Sequence, residues 1–549
     1  MARSLGVGVA LLLGGYLLLT STVTLYDTMF KFDVKRILEL CLFPLIFAPV
    51  LFNRTLRITF RHQLERIPRW VNTVLLPLLA LGIVSSAYNA TSGMALLYSL
   101  AEVLLLTLLV VAVLAVAACR EVAGTAFDQV AIALITLVGL AVGVQELTGV
   151  FAALSLGLEF HPLIALLHFS WPRFYNQVQT WSIPIIAALP LVFPGRPLAK
   201  FLCVAALALE WYVVIATGAR GAMVSVVAGL IMAGFYLPDI RKGLIKYQIF
   251  GLMIAVVIYG LVVLGHQQLA IKHSDDPLAK AVAAPQGEAE PGTANDAVSG
   301  PTMGESSGSF VEPLTGQRVV TSSGRIDMWI GTLQDARTHP LLGIGPMNYA
   351  CTGPIYRAGH PHNFPLQFMD EWGIPAVILL LITVAALFFR LASVLRKPGA
   401  AFVRNAPLAG YFATGMLAAM ILACLDGVLV MPASQVTGVL VCGCLLGLLP
   451  GRPINSQSGF SQSSYSQSSH GQSSHGQRGN SQSTVAAAAV LTLALIASIA
   501  FLAFARHEIT VAEVRWTQPP VMDQGIPRLW QNGKVCRLYQ EQGIPDSQR

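Results

Sequence analysis

Charge is what this sequence has least of. Only 11% of its residues are Asp, Glu, Lys or Arg, while 54% are hydrophobic; a soluble domain carries about 25% charged residues. Long apolar runs recur along the whole chain and read as membrane-spanning helices. Short alternating segments of the transmembrane β-barrel kind are missing. The expected fold is therefore all-α, a polytopic bundle of about 12–13 spans. No Gly-rich nucleotide-binding loop occurs, and no Cys-x-x-Cys pair, which removes a P-loop and a thiolate zinc site from consideration. In so apolar a chain the net charge of +7 does not signal nucleic acid, and no nucleic-acid partner is expected. What matters is where the positive charges fall.

Candidate spans lie at 5–25, 37–52, 71–87, 95–118, 130–150, 181–193, 201–217, 222–237, 249–265, 374–389, 408–425, 436–449 and 485–505. The first is too long for a signal-peptide core and has no clear cleavage site, so it is read as a span. The run at 181–193 is short for a bilayer; it either recruits residues from Tyr175 onward or tilts. If the N-terminus is cytoplasmic, the inside connections hold Arg54, Arg57, Arg61, Arg66, Arg69, Arg120, Arg241, Lys242 and many more. The short outside ones hold only Lys31, Lys35, Arg36, Arg173 and Arg220. That asymmetry orients the chain.

The division that follows is a bundle of nine spans over 1–265, an outside loop carrying short amphipathic helices over 266–373, and spans ten to twelve over 374–449. A low-complexity inside linker over 450–483, an extra span over 484–505 and an outside tail over 506–549 come after. Within the loop, 274–319 is rich in Ala, Gly, Pro, Ser and acidic residues, too poor in apolar surface to order itself. The Ser/Gln/His/Gly repeats of the linker read as a flexible connector, with His-based metal binding the weaker alternative.

Three residues stand out for chemistry. Arg220 lies in Thr-Gly-Ala-Arg-Gly at 217–221, between two apolar stretches with almost no loop. It must be solvated, paired or bound to an anion. The flanking glycines leave the backbone open to a ligand; the other reading is an arginine that snorkels to lipid phosphate. Glu210, in the preceding span, is either its partner or a packing carboxylate. Arg325 opens a helix that Ser322 or Ser323 can cap, with Ile326, Trp329, Ile330 and Leu333 as an apolar stripe. It sits where a helix N-terminus already favours an anion, although a plain surface arginine on an amphipathic helix would look the same. His362-Asn363 begins the next helix, which Gly373 and Pro375 end.

A histidine at a helix N-terminus suits a neutral general base. His360 is two residues away, not the i, i+4 spacing of a zinc-protease helix. A metal site with Asp370 or Glu371 is the disfavoured alternative, and no metal or other cofactor is expected. His339, before a proline, reads as turn chemistry. Two guanidiniums suit a pyrophosphate, and a neutral imidazole suits deprotonation of an acceptor hydroxyl. Pyrophosphate donors embedded in membranes outside the cytoplasm are chiefly polyprenyl-linked sugars.

In these features the chain resembles the O-antigen ligase superfamily, which includes O-antigen ligases, O-linked protein oligosaccharyltransferases and polysaccharide polymerases. The resemblance rests on the Arg-Gly turn at Arg220, Ser-Gly-Arg and Trp within 323–329, and His-Pro-Leu-Leu-Gly-Ile-Gly at 339–345. It also rests on His362-Asn363 followed by nine residues and Gly373, and on Arg-Phe-Tyr-Asn-Gln at 173–177. It implies a metal-independent, inverting glycosyltransferase in a bacterial inner membrane, drawing on an undecaprenyl-pyrophosphate-linked glycan donor at the periplasmic face. Arg220 and Arg325 would hold the leaving pyrophosphate and His362 would activate the acceptor. Arg173, His360, Asn363 and Glu371 are the expected substrate contacts. Lipid A-core is the expected acceptor, a growing glycan or a protein the alternatives, with membrane lipids as further partners. A transporter or flippase of lipid-linked glycans would want arginines across the bilayer midplane, whereas nearly all Lys and Arg here lie at span ends. Of the eight cysteines, Cys351 and Cys536 alone fall in outside segments. They are candidates for a disulfide in an oxidising compartment, or two free thiols.

Overall fold

The computed structural model describes residues 1–23, 31–156, 169, 172–274, 325–349, 359–396, 405–449 and 475–515. The Ala/Pro/Gly/Ser-rich insertion at 275–319, most of the Ser/Gln repeat, Cys351 and Cys536 lie outside these residues. Every regular element among the described residues is a helix. Helices α1 (Ala2–Thr22) and α2 (Lys31–Phe52) lead into a short α3 (Arg54–Arg66), then α4 (Arg69–Asn89), α5 (Gly93–Ala123) and α6 (Thr125–Ser155). A broken pair, α7 (Pro172–Ile186) and α8 (Leu189–Val192), precedes α9 (Pro197–Ala216), α10 (Arg220–Tyr236) and α11 (Pro238–Ser274). Two short helices follow, α12 (Arg325–Thr338) and α13 (Phe364–Trp372), then α14 (Ile374–Arg396), α15 (Ala406–Ala423), α16 (Pro432–Leu448) and α17 (His475–Arg515).

Nine of the described helices are long and apolar enough to cross a membrane. The other four apolar stretches of the sequence form α2, the α7–α8 pair, α10 and α16. The chain is thus an all-α polytopic bundle. The short run at 181–193 resolves simply: its helix starts at Pro172 and breaks after Ile186, with Pro184 inside it. Backbone carbonyls near the break find side-chain donors, as lipid-embedded backbone requires. Gln248 Nε2 donates to Ile183 O at 2.9 Å and Gln129 Nε2 to Val192 O at 3.0 Å.

Within lipid the apolar effect does not drive helices together, so close approach and buried polar contacts must. Helix α16 shows both. A Cβ at Gly438 would lie 3.1 Å from the Trp181 indole, and one at Gly447 2.8 Å from Ala117 O. Trp181 Nε1 donates to Ser434 Oγ at 3.0 Å. At the turn between α5 and α6, Arg120 makes two bonds to Asp128, of 2.7 and 3.1 Å, and a third to Gly447 O at 3.0 Å.

Two expectations change in detail. The arginine-rich connection after α2 is not a bare loop. Asn53 caps α3 by accepting from Leu56 N–H at 3.1 Å, Leu56 and Phe60 are buried, and Arg66 grips Glu121 with bonds of 2.8 and 2.9 Å. The helix expected over 484–505 runs longer, and α17 is seated in the bundle rather than set beside it. Ala487, Leu491, Ala494, Ser498, Phe501 and Ala505 are all buried, at alternating spacings of four and three, the seam of a left-handed helix pair. Tyr98 donates to Glu508 at 2.8 Å and Arg61 to Thr484 at 2.9 Å. Of the cysteines read as packing residues, Cys119, Cys203 and Cys444 are buried, but Cys424 is exposed at the end of α15.

Candidate active site

Helix α13 is fixed at both ends. Asn363 caps it by accepting from Leu366 N–H at 3.0 Å. Phe364, Phe368 and Trp372 pack along one face as tilted rings, with centroids 4.7 and 4.6 Å apart, and Trp372 covers Gly82 of α4 so closely that a Cβ there would strike the indole. The His-Pro-Leu-Leu-Gly-Ile-Gly segment straps the far end. Ile344 N–H donates to Asp370 O at 2.8 Å, Gly345 N–H to Glu371 O at 3.0 Å, and Ile374 N–H to Pro340 O at 2.8 Å. Gly343 (φ 64°) and Gly373 (φ 91°) adopt left-handed backbone, and a side chain on either would run into the opposing main chain. Ser85 of α4 donates to Leu342 O at 2.6 Å, locking the strap to the bundle. His339, at the head of the strap, is exposed and pairs with Thr338, in keeping with its reading as a turn residue.

His362 stands just ahead of the cap with φ 52°, a conformation that costs a non-glycine residue about 1–2 kcal/mol and is typical of functional positions. Its N–H donates to His360 Nδ1 at 3.1 Å. His360 is only 3% exposed, with its ring pressed on Gly427, where no Cβ would fit. His362 Nδ1 lies 3.0 Å from Asp426 Oδ1. Asp426 follows α15; its Oδ1 also accepts Gly427 N–H at 2.7 Å, and Arg325 Nη2 stands 3.6 Å from Oδ2. Asn363 donates to Cys424 O at 2.9 Å and Trp329 to Pro361 O at 3.0 Å, so the ends of α12, α13 and α15 are clasped together.

Burial alone would push the Asp426 carboxyl up. The hydrogen bond and charge of His362, the Gly427 N–H and the Arg325 guanidinium outweigh it and hold the group down to about 2. An ionised carboxylate can only accept. The shared proton is therefore on His362 Nδ1, and a neutral His362 presents Nε2 as a free acceptor.

The expected site residues are largely gathered here. Arg173, in the first turn of α7, is exposed and senses the charges of both Asp426 and Arg325. Arg220 opens α10 and is exposed, and its side chain carries no hydrogen bond or ion pair among the described residues. Its turn is tied to α7 by Asn176 Nδ2 donating to Thr217 Oγ1 at 3.1 Å. A Cβ on the adjacent Gly221 would lie 3.3 Å from Leu422, one helical turn before Asp426.

Glu210 is not its partner. That carboxylate is buried and accepts from Tyr175 at 2.9 Å and Gln179 at 2.6 Å, which settles it as a packing group. Glu371 lies at the far end of α13, fully buried, and accepts Tyr349 N–H at 3.3 Å. The stripe on α12 faces away from the bundle: Ile326, Ile330 and Leu333 are exposed, while Met328, Thr332 and Ala336 are the buried face.

Asp426 is the residue that reading the sequence missed. Its one local signal is a lone acid closing the apolar run at 408–425. Among the described residues no group of three His, Cys, Asp or Glu side chains is placed to hold a metal ion.

The Asp426 carboxylate, with His362 and Arg325 beside it, stands at the ends of helices in a bundle that includes membrane-length helices. Residues 203–381 match the family model described as O-antigen ligase, Wzy_C; over that stretch the chain is similar to membrane glycosyl-transferring enzymes of the ligase and polymerase type. The match takes in Arg220, Arg325 and His362, and leaves Arg173 and Asp426 outside it. No curated protein matches the chain.

Proposed function

We propose that the protein moves a glycan from an undecaprenyl-pyrophosphate donor to an acceptor hydroxyl at the periplasmic face of a bacterial inner membrane, with lipid A-core as the acceptor. The observation that carries this reading is the His362–Asp426 pair with Arg325 beside it and Arg173 within reach of its charge, while Arg220 opens α10 next to Gly221, which packs on Leu422. Asp426 holds Nδ1–H, so Nε2 takes the acceptor proton as the hydroxyl oxygen bonds to the anomeric carbon. The bond from that carbon to the pyrophosphate oxygen breaks, and its electron pair leaves with the pyrophosphate. Attack opposite the leaving group inverts the centre. Charge grows on the departing oxygens, where preorganised guanidiniums contribute most; these supply what a divalent ion would otherwise bring.

Arg173, His360 and Asn363 shape the surroundings, the last two by setting the backbone of His362. The orientation rests on charge bias: α3 carries Arg54, Arg57, Arg61 and Arg66, the cluster expected on the inside.

The test is transfer in proteoliposomes, with a synthetic polyprenyl-pyrophosphate glycan and three acceptors supplied separately: lipid A-core, free glycan and a hydroxyl-bearing protein. Transfer to lipid A-core that survives EDTA is expected. Transfer to glycan or protein alone would reassign the acceptor. Passage of the donor across the bilayer with no transfer would replace the enzyme by a transporter.

A further inference from the structure

One fully buried charge near the site takes no part in the chemistry above. Arg36, on α2, is 1% exposed, and its ion-pair partner Glu39 on the same helix is 0% exposed. Burying such a pair is costly unless every donor and acceptor is well placed. The guanidinium meets that condition by reaching beyond Glu39. Arg36 Nη2 donates to Val430 O at 2.8 Å, and Nη1 donates to Gln435 Oε1 at 2.6 Å. Gln435, in the first turn of α16, passes the contact on by donating to Leu429 O at 2.7 Å. Phe32 lies under the guanidinium, 5.5 Å from its central carbon, and packs with Val430 and Met431.

The two carbonyls held in this way belong to the segment that follows Asp426. From Val430 the hydrogen bonds run straight back to the site. Val430 N–H donates to Gly427 O at 3.0 Å, and Gly427 N–H donates to Asp426 Oδ1 at 2.7 Å. That oxygen is the one facing His362 Nδ1 at 3.0 Å. We propose that Arg36 is a positioning residue for the His362–Asp426 pair: by anchoring the Leu429 and Val430 carbonyls to α2 and α16, it sets the Asp426 carboxylate against the imidazole. The proposal rests on the transfer reading above, and Arg36 itself touches no reacting atom. Its planar fork serves two acceptors and a carboxylate at once, which a lysine ammonium on a flexible stem does not reproduce.

Arg36→Lys in the full-length protein tests this, because it keeps the charge beside Glu39 and loses the fork. We expect kcat for glycan transfer to fall about 10- to 100-fold while donor KM holds, and amide hydrogen exchange across 424–431 to rise. In an Asp426→Asn background the same substitution should have no further effect on kcat, a result that a merely structural role would not give. Wild-type kcat in Arg36→Lys, or a loss that adds in full to that of Asp426→Asn, overturns the proposal. Should Arg36→Lys fail to insert, Gln435→Leu carries the same expectation, and wild-type kcat in that variant overturns the proposal equally. A wild-type protein that transfers to no acceptor counts against the transfer reading alone. Exchange then judges the anchor by itself: unchanged protection of Gly427 and Val430 in Arg36→Lys would sink it.

Discussion

His362 Nδ1 and Asp426 Oδ1 meet at 3.0 Å across 64 residues of sequence, and the carboxylate accepts while the imidazole donates. Asp426→Asn should therefore damage the rate more than the fold. The amide is nearly the same size, but its NH₂ would donate to Nδ1 and favour the tautomer with Nε2 protonated, the wrong state for a base. By analogy with the orienting carboxylate of hydrolase triads we expect kcat to fall by about 10²–10⁴, with membrane insertion and donor binding retained. Full activity in Asp426→Asn would remove the carboxylate from the mechanism.

His362→Ala removes the proposed base, and a loss of about 10²–10⁴ in kcat is expected. His360→Ala should be milder. His360 acts through one hydrogen bond, from His362 N–H at 3.1 Å, and through its packing on Gly427. The comparison is made at saturating donor on protein of equal stability. Equal losses in the two variants would mean that the base has been assigned to the wrong ring.

For the arginines, Arg220→Ala and Arg325→Ala should each lower kcat by about 10²–10³, as for loss of one preorganised donor. Arg325 also stands 3.6 Å from Asp426, so Arg325→Ala and Asp426→Asn should not add. Arg220, with no ion-pair partner among the described residues, should add to Asp426→Asn in full. Kinetics of the two double variants check both expectations.

Much of this site was legible from residue types. Asn363 as a cap and Gly373 as a stop follow from local rules, and the structure uses both residues in those places. The apolar runs announced the helices because a bilayer admits only helices and closed barrels, and the short alternating segments of a barrel are missing. What stayed hidden is long-range. Nothing near Asp426 points to a histidine 64 residues away. Arg36 reads as a surface charge on an outside turn, yet it is buried, because Glu39 lies one turn along the same helix and Gln435 comes from the other end of the chain. Helix α3 was missed although Leu56 and Phe60 sit at helical spacing; its density of arginines suggested a loop.

Acid should weaken the clasp in a defined window. His362, the Gly427 N–H and Arg325 hold the Asp426 carboxyl down to about 2 in the folded protein, below its ordinary 3.8. A group depressed in the folded state contributes stability above its unfolded value, and that contribution fades as pH falls toward the folded one. The difference corresponds to roughly 2 kcal/mol. Unfolding midpoints of the wild type and Asp426→Asn should differ by a constant amount above about pH 5 and converge as pH falls below that. A gap that stayed constant down to pH 3 would show that the ionised carboxylate contributes nothing to holding the ends of α12, α13 and α15 together.

Helix α17 offers a test of packing independent of the chemistry. Leu491 is fully buried in its seam, whereas Leu493, two residues on, is 67% exposed. If α17 is seated in the bundle as its buried face requires, Leu491→Ala leaves a void against the neighbouring helices. A core truncation of this kind costs about 2–5 kcal/mol. Leu493→Ala removes the same atoms from a surface that faces lipid, and its effect should stay within about 0.5 kcal/mol. Reversible unfolding in mixed micelles measures both. The absence of a difference between the two variants would mean that α17 makes no specific seam, and that contacts such as Tyr98–Glu508 and Arg61–Thr484 near its ends hold it instead.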